Sequence, residues 1–216
     1  MIEVESITNQ IINSDCLDIL KELPDKCIDL VLTDPPYNVG INYNSYNDNK
    51  TYGEYKDFCK NWFLECKRIS KCVLFTPGIV NLRMWFEIEA PYWIYIWYKN
   101  NQNSPSKIGG FNIYEPFLIY GKPNKRIGQD GFSMPIAIQK NFENHPVPKL
   151  LKAWQYVIEK FSTENDLILD CFSGSGTTAV ACHNLKRRFI CIEKDEDYYD
   201  ASVERLKNAQ AQMKLF

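Results

Sequence analysis

The sequence predicts an α/β fold built on a doubly wound, mainly parallel sheet. Segments with the apolar period of strands alternate with segments that have the period of helices along most of the chain. The clearest unit is a strand at 167–171, a glycine-rich loop, a helix and a strand at 189–193. Because 216 residues suffice for one sizeable α/β domain, we expect a single domain over 1–216.

Each element follows from a local pattern. Short apolar runs predict buried strands, as for IDLVL, which begins a strand that ends at Thr33. Longer segments with apolar residues three or four positions apart predict helices, as for Trp62, Phe63 and Cys66. We predict strands at 11–13, 28–33, 73–76, 94–98, 116–120, 167–171 and 189–193, and helices at 16–23, 53–69, 79–89, 148–161, 177–185 and the end of the chain.

The stretch TDPPYN, residues 33–38, stands where the second strand ends. Ligands of open parallel sheets bind beyond the carboxyl ends of the strands, so this turn lies at the expected binding edge. Pro35 and Pro36 fix their own φ and restrict the residues before them. The turn is therefore expected to hold the Asp34 carboxylate and the Tyr37 ring rigidly at that edge.

A second stretch, LILDCFSGSGTTAVAC at 167–182, carries a strand into a glycine turn and then a helix whose first N–H groups can receive an anion. Gly174, Gly176 and Ala179 match a dinucleotide fingerprint, with Glu193 placed for a ribose, so a nicotinamide dinucleotide is one candidate ligand. Asp170, however, would repel a pyrophosphate and accept an amine. S-adenosylmethionine offers an amino group, a carboxylate and a ribose, and we therefore favour it.

Charge is uneven along the chain. The net charge of −2 argues against a protein that coats nucleic acid over its whole surface. Between positions 99 and 152, however, eight basic residues face three acidic ones, a balance of +5, within loops and a hairpin rich in Asn, Gly, Pro and Lys. This segment fits either one face that holds a polyanion or a solvated surface.

Cysteine spacing and hydropathy exclude other classes. The eight cysteines form no C-x-x-C pair, so they indicate reduced core residues rather than disulfides or a zinc site, and no metal is expected. The start has no basic region followed by a long apolar core, and no apolar run is long enough for a membrane span. We expect a cytoplasmic protein.

Taken together, these motifs resemble a permuted, or β-class, S-adenosylmethionine-dependent DNA amino-methyltransferase of the N6-adenine type. Four segments carry the resemblance in that class's order: IINSDCLDILKELPDKCIDLVLTDPPYN, IWYKNN with YEPFLIYGK, HPVPKLLKAW, and LILDCFSGSGTTAVACHNLKRRFICIEKDEDYYDASVERL. It implies a Rossmann-like methyltransferase fold with seven strands in permuted order and a short recognition insertion at about 100–144. HPVPKL departs from the class because no proline follows Lys149.

The resemblance also implies a mechanism for the proline turn. An exocyclic amine conjugated to a base is a poor nucleophile, and acceptors on Asp34 and on the Pro35 carbonyl would localise its lone pair. Pro36 stiffens the turn, and Tyr37 offers a face for stacking the base. Because a base inside a duplex cannot reach the methyl donor, we expect the nucleotide to be flipped out of the helix.

Further site residues are implied in the same way. Asp15 matches an acidic position near the cofactor adenine, although a helix N-cap explains it equally well. Lys149 could approach the cofactor carboxylate or a DNA phosphate, and Lys99 fits either a DNA phosphate contact or a position on the surface. The predicted cofactor residues are Asp15, Cys16, Asp170, Phe172, Ser173, Gly174, Ser175, Gly176, Thr177, Thr178, Glu193 and Lys194, and the predicted DNA-binding residues are Lys99, Lys107, Lys122, Arg126 and Lys149.

Several alternatives stay open. Cytosine N4 has the same amine chemistry as adenine N6, although an aspartate at the first position of DPPY accompanies adenine more often in this family. A non-catalytic DNA-binding or partner subunit would keep the fold but would be expected to have a damaged turn. The expected partner is double-stranded DNA, with RNA as another substrate. A restriction endonuclease encoded elsewhere is a further candidate partner. Exposed aromatic content expected near Trp62 and Trp85 also permits a homodimer.

Overall fold

A computed structural model describes residues 2–41, 46–102, 104–136 and 149–213. Within these ranges the protein has one eight-stranded sheet. Its strands are β1 Gln10–Asn13, β2 Ile28–Thr33, β3 Ser70–Phe75, β4 Trp93–Tyr98, β5 Tyr114–Gly121, β6 Gly131–Ser133, β7 Leu167–Asp170 and β8 Arg188–Glu193. Their order across the sheet is β1-β8-β7-β2-β3-β5-β4-β6.

The strand directions confirm the predicted mainly parallel sheet. The five strands from β1 to β3 in the spatial order run parallel, whereas β5 is antiparallel to both β3 and β4. The eighth strand is β6, which pairs in parallel with β4. It was not predicted because three residues within a polar stretch carry no measurable alternation.

Seven α-helices cover the sheet in the described part of the chain. The predicted helix at 79–89 begins as a 3-10 turn at Ile79–Asn81. The longest predicted helix starts where Thr51 and Glu54 form a capping box, in which each side chain bonds the other residue's backbone N–H. The helices are α1 Val4–Ile7, α2 Cys16–Leu20, α3 Tyr52–Ile69, α4 Leu82–Ile88, α5 Leu151–Phe161, α6 Thr177–Asn184 and α7 Glu196–Met213.

Two apolar cores lie on opposite faces of the sheet, as a doubly wound fold requires. Leu30 of β2 belongs to the core that includes Trp154 of α5, whereas the next residue, Val31, belongs to the core under α3. Trp62 and Trp85 are fully buried in that second core. Neither ring is exposed, although Phe86 beside Trp85 is 50% exposed, and the homodimer stays a prediction.

Other expectations concern the cysteines and membrane association. All eight cysteines are free thiols, and seven of them are buried, as predicted for core residues. Burial raises the pKa of Cys72 to about 12, which keeps this thiol protonated and unreactive. None of the helices in the described ranges is long and apolar enough to cross a membrane.

The sheet brings the two sequence motifs together. Leu30 and Val31 of β2 pair in parallel with Ile168 and Leu169 of β7, so both strands end at the same edge. The proline turn follows β2 and the glycine loop follows β7. Chain segments more than 130 residues apart thus meet at the carboxyl edge, where ligands of such sheets bind.

Candidate functional site

A cavity of about 390 Å³ lies at this carboxyl edge. All four predicted catalytic residues, Asp34, Pro35, Pro36 and Tyr37, contribute to its wall. The predicted cofactor residues that also line it are Asp15, Cys16, Asp170, Phe172, Ser173, Gly174, Ser175, Thr177, Thr178, Glu193 and Lys194. The fold therefore joins the proline turn and the glycine loop in one site.

Gly176 is the one predicted cofactor residue that is not part of this wall. It caps the start of α6 with φ +72°, a conformation that favours glycine. A Cβ at this position would lie 2.8 Å from Cβ of Ser202 on α7. Gly176 thus makes room for the close approach of α7, and its predicted contact with the cofactor stays a prediction.

Arg205 on α7 holds the glycine loop from outside the cavity. Its Nη1 donates hydrogen bonds to the Ser175 carbonyl at 2.8 Å and to Oγ1 of Thr177 at 2.9 Å. Burial lowers the pKa of Arg205 to about 10, so the guanidinium stays charged at neutral pH. Arg205 was not predicted because no local sequence pattern distinguishes it from any other arginine on an amphipathic helix.

Asp170 is buried at the end of β7, and both of its carboxylate oxygens accept hydrogen bonds. Oγ1 of Thr33 donates to Oδ1 at 2.7 Å, the Phe172 N–H donates to the same oxygen at 3.1 Å, and Thr178 donates to Oδ2. Burial raises the pKa of Asp170 to about 6, although the bonds from Thr178 and Thr33 act in the opposite direction. The carboxylate is ionised at neutral pH and is held in one orientation.

The remaining acidic residues of the wall support the loops. Glu193 accepts the Gly174 N–H at 2.7 Å and the Asp195 N–H at 2.9 Å, and burial raises its pKa. Asp15 accepts the Leu17 N–H at 3.0 Å, which makes it the N-cap of α2. The N-cap explanation of Asp15 is thus confirmed, while its predicted contact with the cofactor adenine stays a prediction.

Two side chains fix the backbone of the proline turn. The buried Tyr55 donates its hydroxyl to the Pro36 carbonyl at 2.8 Å, and Nδ2 of Asn81 donates to the Tyr37 carbonyl at 2.8 Å. The Pro35 carbonyl receives no hydrogen bond from the residues that the structure describes. The turn is rigid, and this carbonyl keeps its capacity to accept.

Tyr37 is held at both ends. Its ring lies against Gly78, where a Cβ would approach within 2.9 Å of Tyr37 Cγ. Its hydroxyl donates to Oδ1 of Asp34 and lies 2.9 Å from Oγ1 of Thr76. Burial, followed by the charge of Asp34, raises the pKa of Tyr37 well above its usual value, so the hydroxyl remains a donor. The predicted stacking of a base on this ring stays a prediction.

A buried ion network lies behind the turn. Nζ of Lys149 is 3.0 Å from Oδ1 of Asp34 and 2.6 Å from Oε1 of Glu115, and Lys99 pairs with the other oxygen of Glu115. Burial disfavours these charges, but Lys149 and Lys99 hold the pKa of Glu115 at about 2. Burial likewise lowers the pKa of Lys149, yet Asp34 and Glu115 raise it well above its usual value.

The predicted DNA-binding residues fall into two groups. Lys99 and Lys149 have side chains only 11% and 14% exposed and are paired with Glu115, whereas Lys107, Lys122 and Arg126 are exposed. Contacts of all five residues with DNA stay predictions. Glu115 was not predicted because nothing in YEPF distinguishes it from any other strand residue. Residues 137–148, which include most of HPVPK, lie outside the described residues.

Comparison with known proteins identifies the family. Residues 28–136 and 129–204 match the family model described as DNA methylase. The chain belongs to this DNA methylase family. Family membership confirms the predicted class of DNA amino-methyltransferase and makes S-adenosylmethionine the methyl donor.

Individual relatives of this DNA methylase span most of its length. The chain is 30% identical to the type II methyltransferase M.HpaI of Haemophilus parainfluenzae over 91% of its residues and 74% of that protein. It is 27% identical to the type II methyltransferase M.HinfI of Haemophilus influenzae, over 94% of this chain and 70% of the relative. These similarities extend beyond the proline and glycine motifs.

Solved structures show the same fold. The M1.HpyAVI–SAM complex superposes with a TM-score of 0.67 at 24% identity, over 91% of this chain and 98% of the other. The PvuII DNA methyltransferase, described as cytosine-N4-specific, gives a TM-score of 0.68 at 19% identity, over 93% and 90% of the two chains. The DNA methylase thus has the predicted Rossmann-like methyltransferase fold.

The cavity of this DNA methylase fits its methyl donor. The volume of the cavity lies within the range of small-molecule sites. Oγ of Ser173 is buried in the wall and has no hydrogen-bond partner among the described residues, so it is available to a ligand. Asp170 and Glu193 place carboxylates on the same wall, and the first turn of α6 has N–H groups that lack intrahelical acceptors, so the wall has the donor and acceptor types that such a ligand needs.

Proposed function

We propose that this DNA methylase transfers the methyl group of S-adenosylmethionine to the exocyclic N6 amine of adenine in double-stranded DNA. One observation carries the proposal: Asp34 and Pro35, which keep acceptors without partners in the described part of the chain, line the same cavity as the glycine loop. The choice of adenine is supported by Asp34, since an aspartate at the first position of DPPY accompanies adenine more often than cytosine in this family.

In this proposal the glycine loop and its acidic neighbours hold the cofactor. Asp170 accepts the amino group, Glu193 accepts the ribose hydroxyls, and Ser173 with the Thr177 and Thr178 region receives the carboxylate. The bound cofactor supplies an electrophilic methyl group on a sulfonium, which is already a good leaving group. The enzyme therefore needs no covalent intermediate, and its own contribution is orientation.

The proline turn orients and activates the amine. Oδ1 of Asp34 already accepts hydrogen bonds from Tyr37 and Thr76 and forms an ion pair with Lys149, whereas Oδ2 has no such partner in the described part of the chain. We assign Oδ2 of Asp34 and the Pro35 carbonyl as acceptors of the two amine N–H groups. Holding two reactants in line is worth up to roughly 7–11 kcal/mol in ideal cases, so this rigid pair is the main catalytic device.

The ion network places a fixed cation beside Asp34. Lys149 is largely buried, and its two carboxylate partners keep it protonated across the neutral range. Its ammonium group therefore stays next to Oδ1 of Asp34 and leaves Oδ2 for the substrate amine. After transfer, Oδ2 of Asp34 accepts the proton that the methylated amine releases, directly or through water.

Base flipping brings the amine to these acceptors. Extruding a base from a duplex costs a few kcal/mol, and stacking on the Tyr37 ring would offset part of it. The exposed Lys107, Lys122 and Arg126 lie in the segment at about 100–144, which we propose contributes to target recognition. A homodimer and a restriction endonuclease partner remain predictions.

Transfer of labelled methyl from S-adenosylmethionine to unmethylated double-stranded DNA tests the proposal, with nucleosides digested and separated afterwards. We expect label in N6-methyladenine. Label in N4-methylcytosine would keep the mechanism and overturn the base assignment. Absence of label in DNA, with S-adenosylmethionine binding demonstrated by calorimetry, would overturn the proposed function. Sequencing of the modified DNA then defines the methylated sequence.

A further inference from the structure

The connection between β4 and β5 ends in an exposed apolar tip. The tip is the turn Ser106–Gly110, and Ile108 at its centre is 95% exposed. Phe111 is 59% exposed on the same hairpin, and Lys107 beside Ile108 is exposed as well. A fully exposed β-branched apolar side chain gains nothing for the fold, and grouped exposed apolar residues mark interaction surfaces.

This tip is held in shape by its own hydrogen bonds. The Ser106 N–H donates to the Gly110 carbonyl at 2.7 Å, and the Gly110 N–H donates back to Oγ of Ser106 at 3.2 Å. Pro105 and Phe111 form an antiparallel bridge below the turn. The Ile108 side chain is therefore presented on a defined projection.

The hairpin rises from the catalytic edge. β5 runs antiparallel to β3, with Leu118 opposite Phe75, so the residues before Leu118 extend beyond the carboxyl end of β3. Glu115, in this extension, binds Lys149, which binds Asp34. Ile108 lies six positions before Tyr114, and at about 3.3 Å per residue the tip stands no more than roughly 20 Å above β5.

We infer that Ile108 inserts into the DNA duplex beside the target nucleotide and fills the space that the flipped base leaves. This inference rests on the proposed function, because a base can enter the cavity only if DNA covers the carboxyl edge. An apolar wedge between base steps is a known means of unstacking them. Lys107 complements the phosphate charge next to the insertion point.

The test compares two DNA duplexes that carry the mapped methylated sequence. One is fully paired, and the other has a mismatch at the target base, which is easier to extrude. Ile108→Ala is expected to slow methyl transfer to the paired duplex at least tenfold and to the mismatched duplex less than threefold. Ile108→Leu, which keeps a wedge, is expected to stay within threefold of wild type on both.

Controls separate this inference from the proposed function. Leu64→Ala removes another exposed apolar side chain, which is 47% exposed on α3, and is expected to leave both rates unchanged. An Ile108→Ala rate within twofold of wild type on the paired duplex would overturn the inference, as would an equal loss on both duplexes. If wild-type enzyme labels neither duplex, the proposed function itself fails.

Discussion

Nζ of Lys149 lies 3.0 Å from Oδ1 of Asp34, and this contact makes the proline turn part of a set of four charged side chains with no net charge. Glu115 pairs with both Lys149 and Lys99, while Asp34 uses one carboxylate oxygen for the network. The other oxygen is left for the substrate amine. A buried charge that loses its partner typically destabilises a protein by about 3–5 kcal/mol, so the network also constrains which variants will fold.

Asp34→Asn tests the role of the free oxygen. The amide keeps the shape of the side chain but replaces one acceptor oxygen with a donor, so we expect the methyl-transfer rate to fall at least a thousandfold. The dissociation constant of S-adenosylmethionine, measured by calorimetry, is expected to change less than threefold because Asp34 is not among the assigned cofactor ligands. A variant rate within tenfold of wild type would refute the assigned role.

Glu115→Gln tests the charge balance behind the turn. Removing this carboxylate leaves Lys149 and Lys99 with Asp34 as their single anion, and the added positive potential weakens Asp34 as an acceptor. We expect kcat to fall at least tenfold and the free energy of unfolding to fall by about 3 kcal/mol. Cofactor affinity should not change.

The double variant Glu115→Gln with Lys99→Met serves as the control for this change. It removes one cation together with the anion and restores neutrality, so it should recover part of both losses. Equal losses in the single and double variants, measured by urea unfolding and initial rates, would show that packing rather than charge is responsible.

The pH dependence of stability reports the pKa of Asp170. Its pKa of about 6 in the folded protein exceeds the ordinary value of 3.8, so the folded state binds the proton more tightly. The resulting stabilisation is complete below pH 3.8 and is lost as pH rises through 6. Between pH 4.5 and 7 it amounts to about 2 kcal/mol.

Asp170→Asn removes this titration. The free energy of unfolding of wild type minus that of the variant should therefore decrease by about 2 kcal/mol from pH 4.5 to pH 7. Urea unfolding of both proteins at several pH values measures it. A difference that stays constant with pH would mean that burial does not raise the pKa of Asp170.

The contrast between Asp170 and Glu115 shows which residues of the site can be predicted from the sequence. Asp170 could be predicted because strand, glycine loop and helix are contiguous, so its place at a strand end follows from local pattern alone. Glu115 contacts Lys149, 34 positions away, only because β5 is antiparallel to β3 and extends past it. Sequence gives no register between distant strands, so the ion network could not be predicted.

The same limit explains why two features of the fold were not predicted. Trp62 has the helical spacing of an apolar face, but its complete burial depends on the packing of α3 against the sheet and α4. The strand β6 exists because Gly131 can approach the Ile96 carbonyl, where a Cβ would lie only 2.7 Å away. Both facts depend on tertiary contacts rather than on local propensity.

Gly176→Ala separates backbone strain from steric contact at the start of α6. Alanine at φ +72° costs about 1–2 kcal/mol, and its Cβ would also meet Cβ of Ser202 at 2.8 Å, which adds about 1–3 kcal/mol. Gly40→Ala is the matched control because Gly40 has φ +81° and nothing within 4 Å of the added Cβ, so only the backbone cost applies. We expect Gly176→Ala to be the more destabilising by at least 1 kcal/mol in urea unfolding, and adding Ser202→Gly to remove most of that excess. Equal losses for the two alanine variants would mean that α7 shifts freely and that Gly176 serves the turn alone.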